Sequence, residues 1–218
     1  MEWRRLVKTA ITGSQVLKAG RSSPPDPSTH LESNAMSHVS GERSFIPVSI
    51  AVLTVSDSRS LEDDKSGQTL QDRLEKAGHN LGARKIVRDE IPQIQAIVQG
   101  WIDDPDIDVV ITTGGTGFTG RDVTVEAVVP LMEKQMDGFS ALFHRLSFDK
   151  IGTSTIQSRA TGGVAKGTYI FVLPGSPGAC KDAWDGIIEA QLDYRHKPCN
   201  FVEIMPRLME GKEGGRGA

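Results

Sequence analysis

The chain has 218 residues, a formal net charge of −3, a hydrophobic share of 38% and a charged share of 24%. These shares are typical of a globular protein and exclude disorder along the whole chain, while the nearly balanced charge argues against binding to a nucleic-acid backbone. Two cysteines, Cys180 and Cys199, are too few for a disulfide framework, and no apolar run is long enough to cross a bilayer. We therefore expect a cytoplasmic protein that acts on small molecules and binds neither nucleic acid nor membrane.

The two ends of the chain differ in composition from its middle. Residues 1–45 include a stretch rich in Pro and Ser at 22–28 and no sustained apolar period after Leu17, so we expect a poorly ordered extension. Three origins of this extension remain open: an organelle-targeting peptide, a dispensable native tail, or material upstream of a true start at Met36. Residues 210–218 contain four glycines and are expected to form a flexible tail.

Strand and helix patterns alternate between these ends. Short runs rich in β-branched residues predict strands, each buried on both faces, at 48–55, 83–87, 108–113 and 168–173. Amphipathic segments predict helices at 67–77, 93–102, 124–133, 138–148 and 178–192. We therefore expect residues 46–209 to form a single three-layer α/β domain, with a mostly parallel sheet and helices on both faces. In such sheets ligands bind outside the carboxyl ends of the strands.

The loop after the third predicted strand is the most informative segment. Residues 113–120 contain four glycines and three threonines, and a helix follows for which Thr124 is the expected N-cap. Closely spaced backbone N–H groups, hydroxyls and a helix N-terminus together predict a binding site for phosphate or a similar oxyanion. The alternative is a simple turn, whose glycines only provide positive φ angles.

Two familiar phosphate-binding motifs match this loop only in part. The spacing Gly115-x-Gly117-x-x-Gly120 fits a dinucleotide fingerprint, but the acidic strand end expected about twenty residues later is missing. A P-loop is excluded because Arg121 and Asp122 replace its Lys and Ser or Thr. A carboxylate beside an oxyanion site repels phosphate unless a cation lies between them, so Asp122 predicts Mg²⁺ bridging a nucleotide. The alternative role of Asp122 is a helix N-cap.

Other polar residues follow the remaining predicted strands. Asp57 and Asp89 come after the first two strands, and we expect Asp89 to face Asp122 across one crevice, an arrangement suited to metal-assisted nucleotidyl transfer. The acidic run 62–64 is either a solvated loop or a second metal site. Ser158 and the turn Pro174-Gly175-Ser176 are further candidates for contacts with an anionic ligand, while Cys180, Cys199, His144 and His196 are expected to be structural.

The sequence TTGGTGFTGRDVT at 112–124 closely resembles the signature of the MoaB/MogA family of molybdenum-cofactor biosynthesis proteins. Further segments resemble the same family in the same order, at 51–59, 63–67, 151–160 and 173–176. The resemblance covers about residues 46–209, and the segments 151–160 and 195–201 are most similar to the MoaB branch. The extension before Met36 has no counterpart in this resemblance.

The resemblance implies a molybdopterin-binding α/β domain that forms a homotrimer or homohexamer. It also implies adenylylation of molybdopterin from Mg-ATP before molybdate insertion, with a possible hand-over to a molybdate-insertion protein. The functional acids of active relatives fall on Asp89 and Asp122. Some proteins of the MoaB branch lack the first acid, so the presence of both favours an active enzyme.

The glycine loop, the two acids and the family resemblance together predict a mechanism. Asp89 and Asp122 are the predicted catalytic and Mg²⁺-binding residues, and the phosphate of molybdopterin attacks the α-phosphorus of ATP. The predicted molybdopterin- and nucleotide-binding residues are Asp57, Thr113, Gly114, Gly115, Thr116, Gly117, Ser158, Pro174, Gly175 and Ser176. Two alternatives remain open: a non-catalytic molybdopterin-binding or carrier protein of the same pathway, and an NAD-dependent oxidoreductase that uses the glycine fingerprint.

Overall fold

The fold is that of an open, mostly parallel sheet. The computed structural model describes residues 43–212, so the predictions for residues 1–42 and 213–218 lie outside the described residues. Six strands form one sheet in the order β2-β1-β3-β6-β5-β4. Their bounds are β1 Ser49–Val55, β2 Asn80–Val87, β3 Val109–Thr113, β4 Lys134–Gln135, β5 Thr161–Ala165 and β6 Thr168–Leu173. The boundaries of the domain at 46 and 209 stay a prediction.

Helices follow most strands. They are α1 Lys65–Lys76, α2 Ile91–Asp103, α3 Thr124–Val128, α4 Asp137–Ile151, α5 Pro177–Ala183, α6 Glu189–Leu192 and α7 Phe201–Ile204. Short 3₁₀ segments lie at Val129–Leu131, Gly152–Gln157 and Met205–Arg207, and a π-helical segment lies at Trp184–Ile188. Within residues 43–212, no helix combines the length and apolar character needed to cross a membrane.

Strand β1 shows how the sheet separates two hydrophobic layers. Ile50 and Val52 pack with α1, α4 and α5, whereas Ala51 and Leu53 pack with α2 and α3 on the opposite face. Successive side chains of a strand point to opposite faces, so a strand covered on both sides is apolar at every position. β1 pairs in parallel with both β2 and β3, and β3 pairs in parallel with β6. The expected three-layer α/β fold is confirmed.

The strand predictions were incomplete at both edges of the sheet. β2 begins at Asn80 rather than at 83, and most of its side chains are partly exposed because it lies at the edge, so the prediction of burial on both faces was wrong for this strand. β5 was not predicted because it contains Gly162 and Gly163, and glycine is depleted in strands. A Cβ on Gly163 would lie 2.6 Å from the carbonyl oxygen of Lys134, which explains why glycine is required beside β4.

Two helix predictions also needed correction. The segment 124–133 is not one helix, because Pro130 has no amide hydrogen and the chain passes into a 3₁₀ turn and then β4. The segment 178–192 contains the π-helical turn Trp184–Ile188 between α5 and α6. Gly186 lies in this turn, and a Cβ there would come within 2.6 Å of Leu146 of α4, so close packing between helices accompanies the irregularity.

His79 gives the fold a predictable pH dependence. Its side chain is 5% exposed, its Nδ1 accepts a hydrogen bond from the Val48 amide at 3.3 Å, and burial lowers its pKa to about 4. The unfolded chain takes up this proton near pH 6.5, so acid favours the unfolded state. We expect the free energy of unfolding to fall by about 2 kcal/mol between pH 7 and pH 5 through this group. Urea unfolding at both pH values measures this change in the free energy of unfolding. The assignment to His79 would be contradicted if the His79→Asn variant showed the same change.

Candidate functional site

A polar cavity lies at the carboxyl ends of β1, β3 and β6. Its volume is about 530 Å³. It is lined by eleven of the twelve predicted site residues, namely Asp57, Asp89, Gly114, Gly115, Thr116, Gly117, Asp122, Ser158, Pro174, Gly175 and Ser176. Parallel strands direct their following loops to one edge of the sheet, which explains why segments distant in sequence meet here.

The glycine loop is shaped by two residues with left-handed backbone conformations. Gly114 has φ +99° and a Cβ on it would lie 2.2 Å from the carbonyl oxygen of Val55, at the end of β1. Gly115 has φ +61° and a Cβ there would lie 2.3 Å from Thr124 Oγ1 and 2.8 Å from Asp89 Oδ1. Side chains rarely adopt these angles, and none fits these gaps. The glycines therefore bring the backbone against the ends of the neighbouring strands.

The amides of this loop divide into engaged and unengaged groups. The Gly114 N–H donates to the carbonyl oxygen of Leu173 at 3.1 Å, and the Gly117 N–H is directed at the Asp122 carboxylate. Within residues 43–212, the N–H groups of Gly115 and Thr116 have no hydrogen-bond acceptor. Both residues line the cavity, so their amides are available there as donors of the kind that can bind an oxyanion.

Two threonines do not occupy the positions that the sequence suggested. Thr113 is fully buried outside the cavity lining, and its hydroxyl donates to the Pro174 carbonyl at 2.9 Å. Thr124 is not the N-cap of α3: that position is Val123, which makes no side-chain cap. The Thr124 hydroxyl is buried without a partner among the described residues, and its amide donates to the Gly115 carbonyl at 2.9 Å. Both threonines thus support the loop from beneath.

Asp122 is held as a carboxylate by donors of its own loop. Its Oδ2 accepts hydrogen bonds from the Thr119 hydroxyl at 2.6 Å and the Thr119 amide at 2.9 Å. These bonds, with help from the Gly117 amide, keep the pKa of Asp122 below its ordinary value despite partial burial. Asp122 therefore closes a turn within the loop and does not cap α3.

Asp89 has the opposite electrostatic setting. Burial is the main reason that the pKa of Asp89 lies above its ordinary value, and the nearby negative charge of Asp57 adds to it, while Arg121 and the Asp57 backbone amide act in the opposite direction. The charge of Asp122 contributes in the same direction, as expected for two carboxylates on one cavity. A carboxylate with a raised pKa is stabilised in its charged form when a cation binds.

The described residues contain no group of three or more His, Cys, Asp or Glu side chains that could hold a metal ion by itself. Asp89 and Asp122 nevertheless fit Mg²⁺, which is usually bound through one or two carboxylates together with substrate phosphates and water. The Asp89 carboxylate lies beside Gly115 of the glycine loop and forms no ion pair among the described residues, which supports this fit.

Two arginines stabilise the walls of the cavity. Arg121 donates to both oxygens of Asp57, at 2.8 and 2.9 Å, and to Glu90 at 3.1 Å. The same contact with Arg121 is the main reason that the pKa of Asp57 lies below its ordinary value. Arg159 donates to the carbonyl oxygens of Thr116 at 2.9 Å and Asp122 at 3.1 Å. Arg159 also pairs with the carboxylate of Glu126, so it braces the glycine loop rather than projecting a free charge.

Several cavity residues were missed by sequence reasoning. They are Ser56, Ser58, Arg59, Arg121 and Gln157 as direct lining groups, with Val55 at the strand end. The sequence position of Ser56, Ser58 and Arg59 could have predicted their place in the cavity, because they flank Asp57 directly after β1. The turn after β6 lies at the cavity, as predicted. Its Ser176 also caps α5 by accepting a hydrogen bond from the Ala179 amide at 3.2 Å.

The acidic run 62–64 is not a second metal site. Asp64 is buried, and its carboxylate caps α1 by accepting the Gly67 amide at 2.9 Å. It also accepts the Thr54 hydroxyl at 2.7 Å and pairs with Arg84 at 3.1 Å. Burial acts to raise the pKa of Asp64, but these hydrogen bonds outweigh it and hold the pKa below its ordinary value. The sequence alone did not distinguish this structural acid from its exposed neighbours.

The NAD fingerprint fails on geometry as well as on sequence context. The third glycine of such a fingerprint permits close packing between helix and strand. A Cβ on Gly120 would meet nothing within 4 Å, so no close packing requires glycine there. The helix that follows, α3, has only five residues.

The fold and the cavity together define an open α/β-sheet protein with a polar ligand site at the carboxyl ends of its parallel strands. A family model described as "Probable molybdopterin binding domain" matches residues 51–194. "Molybdenum cofactor biosynthesis protein B" of Escherichia coli (strain K12) is 51% identical over 166 residues, covering 76% of this chain and 96% of that protein. The chain therefore belongs to the molybdopterin-binding MoaB/MogA family, in its MoaB branch, and the resemblance seen in the sequence is confirmed.

Other relatives agree in sequence and in fold. The protein of the same name from Bacillus subtilis (strain 168) is 44% identical over 144 residues, which cover 66% of this chain and 85% of that protein. A crystal structure of molybdenum cofactor biosynthesis protein B matches with a TM-score of 0.67 and 42% identity, covering 69% of this chain and 94% of that chain. The crystal structure of the tungsten cofactor synthesizing protein MoaB from Pyrococcus furiosus matches with a TM-score of 0.59 and 35% identity, covering 65% of this chain and 90% of that chain.

Two glycines of the loop provide a matched test of its geometry. Gly115→Ala would force a Cβ against Thr124 and Asp89 at a positive φ, so we expect the free energy of unfolding to fall by about 1–3 kcal/mol. Gly120→Ala places its Cβ in open space, and a change within about 0.5 kcal/mol is expected. Urea denaturation of both variants measures the difference. Equal destabilisation would contradict the close packing assigned to Gly115.

Proposed function

We propose that this protein adenylylates molybdopterin, using Mg-ATP as co-substrate. The observation that carries the proposal is the meeting of Asp89, Asp122 and the glycine loop on one cavity in a member of the molybdopterin-binding family. Carboxylates for a cation and amides for an oxyanion are the two requirements of nucleotidyl transfer.

The residues of the cavity bind and orient the two substrates. The N–H groups of Gly115 and Thr116 donate to phosphate oxygens, and the loop stays in place because Arg159 ties its carbonyl groups together. Other polar groups line the pterin and nucleotide pockets, namely Asp57, Ser158, Pro174, Gly175 and Ser176. Fixing both substrates in one cavity lowers the entropic part of the barrier.

Asp89 and Asp122 are the residues that would hold Mg²⁺. When bound there, the ion neutralises phosphate charge that the two carboxylates would otherwise repel. Asp122 is kept ionised by Thr119, and because the pKa of Asp89 is raised, a bound cation would favour the charged form of that carboxylate.

The transfer needs no catalytic base from the protein. A phosphate monoester has its second pKa near 6, so the molybdopterin phosphate is mostly a dianion at neutral pH. One of its oxygens forms the new bond to the α-phosphorus of ATP, the bond from that phosphorus to the bridging oxygen breaks, and pyrophosphate leaves with the electron pair. The absence of a nucleophile–base pair among the cavity residues is compatible with this chemistry.

The direct test measures pyrophosphate release and adenylylated molybdopterin from the purified protein, metal-free molybdopterin and Mg-ATP. Asp89→Asn and Asp122→Asn are each expected to lower kcat by about 100-fold or more, because each removes a charge that positions the reacting phosphates. Molybdopterin binding, measured separately, should persist in both variants.

Asp106→Asn is the matched control, since it makes the same substitution at an exposed position outside the cavity. Its turnover should equal that of the parent protein. If the parent binds molybdopterin but releases no pyrophosphate, adenylylation is refuted and a non-catalytic molybdopterin carrier takes its place.

We also propose that the protein acts in the cytoplasm as a homotrimer or homohexamer and passes its product to a molybdate-insertion protein. Exposed apolar side chains support self-association: Phe148 and Ile151 lie one turn apart on α4, and Ile156 follows in the 3₁₀ segment. Phe148→Asp places a charge on this surface and should shift sedimentation toward smaller species. An unchanged sedimentation profile would show that this surface is not the subunit contact.

A further inference from the structure

The two guanidinium groups that line the cavity differ in how their charge is balanced. Arg121 is paired with the carboxylates of Asp57 and Glu90. Within residues 43–212, Arg59 forms no ion pair, although it lines the same cavity. Its guanidinium donates instead to two neutral acceptors, the Ser66 hydroxyl at 2.9 Å and the Gly175 carbonyl at 3.2 Å. Arg59 therefore brings an unbalanced positive charge to the cavity wall.

This charge is held in place from the core of the protein. The Ser66 hydroxyl that accepts from Arg59 donates in turn to Asp64 Oδ1 at 3.1 Å. The Asp64 side chain is 0% exposed and is fixed by Thr54 and Arg84. A buried carboxylate with all its hydrogen bonds satisfied is a rigid anchor. A series of side-chain hydrogen bonds thus connects the interior to the cavity, running from Arg84 through Asp64 and Ser66 to Arg59.

The same contacts place Arg59 beside the glycine loop. The Gly175 carbonyl that Arg59 contacts belongs to the turn after β6, and a Cβ on Gly175 would lie 3.1 Å from Gly114 Cα. The guanidinium is therefore next to the loop whose Gly115 and Thr116 amides are free. A guanidinium has five N–H donors, and two of them are used by Ser66 and Gly175, so three remain for a ligand.

The rest of the cavity makes this position the natural one for an anion. Three carboxylates line the cavity, and only Asp57 has an ion-pair partner among the described residues, so an anionic group near Asp89 and Asp122 needs compensating positive charge. Arg59 and the free amides of the glycine loop supply donors and positive charge in the same cavity. Planar guanidinium groups recognise phosphate oxygens by paired, charge-assisted hydrogen bonds.

We propose that Arg59 is the phosphate-recognising cation of this cavity, and that Ser66 and Asp64 are positioning residues that aim it. The inference deepens the proposed function, because it takes the cavity as the site of a substrate phosphate. The ligand class is a phosphate group, either the polyphosphate of a nucleotide or the phosphate monoester of the pterin. The motif at 63–67 then acts through Arg59 rather than by contacting a ligand.

Calorimetric titration of the purified protein with inorganic pyrophosphate tests this assignment. Arg59→Gln should weaken pyrophosphate binding by about 10- to 100-fold, as expected for the loss of a charge-assisted contact. Arg59→Lys keeps the charge without the planar fork, so a smaller loss of about 3- to 10-fold is expected. Arg207→Gln removes an exposed arginine outside the cavity and controls for net charge. If Arg59→Gln folds and binds pyrophosphate as tightly as this control, or the parent protein does not bind it, the proposal is overturned.

A double-mutant cycle separates positioning from general support of the fold. Ser66→Ala should weaken pyrophosphate binding by about 3- to 10-fold in the parent protein but produce no further loss in Arg59→Gln, because both changes affect one interaction. Additive losses would overturn the positioning role of Ser66. Urea unfolding midpoints of all variants identify any variant that is unfolded. If Arg59→Gln is unfolded, Arg59→Lys takes its place in the cycle.

The source of the phosphate is distinguished by titrating ATP, adenosine and glycerol phosphate into the same variants. Loss confined to ATP supports a nucleotide polyphosphate, and loss confined to glycerol phosphate supports the pterin phosphate, while adenosine binding should not change. Turnover is measured separately. Arg59-dependent pyrophosphate binding without adenylyl transfer would refute the proposed function and leave this inference standing.

Discussion

The site depends on the close approach of Gly114 to the ends of two neighbouring strands. Its amide bonds to the Leu173 carbonyl at 3.1 Å, while its Cα leaves room for the Val55 carbonyl on the other side. Gly175 packs on the same atom, so the loops after β1, β3 and β6 meet at one point. Any side chain at Gly114 would separate these strand ends. This contact therefore fixes where three of the loops that line the cavity meet.

Charge in the cavity is distributed unevenly, and the unevenness suits a phosphate-transfer site. Asp57 is neutralised by Arg121, and Asp122 is satisfied by donors of its own loop. Asp89 forms no ion pair among the described residues, and its carboxylate lies beside Gly115, whose amide is free, in a cavity that Arg59 also lines. A metal cation at the acids and phosphate oxygens at the donors would satisfy both sides together. The polar groups left unpaired here are therefore best explained by a ligand.

Much of the architecture could be predicted because buried parallel strands have a strong pattern, and β6 was bounded correctly at Thr168–Leu173. β5 was missed because glycines are uncommon in strands and it contains two of them. Their role is visible only in the folded sheet, where Gly163 packs closely against Lys134 of β4. The site's location followed from loops at strand ends, which is a rule of topology. Side-chain pairing has no such rule: Asp64 and Asp89 are both acids in segments that follow strands, yet Asp64 is a buried helix cap paired with Arg84, and Asp89 is a cavity carboxylate with no ion pair among the described residues.

A crystal structure with Mg²⁺ and a non-hydrolysable ATP analogue tests the proposed adenylylation site. We expect phosphate oxygens to accept hydrogen bonds from the Gly115 and Thr116 amides and from Arg59. We also expect the metal to lie between those phosphates and the carboxylates of Asp89 and Asp122. An analogue bound outside this cavity, or a metal held without either carboxylate, would refute the proposed site.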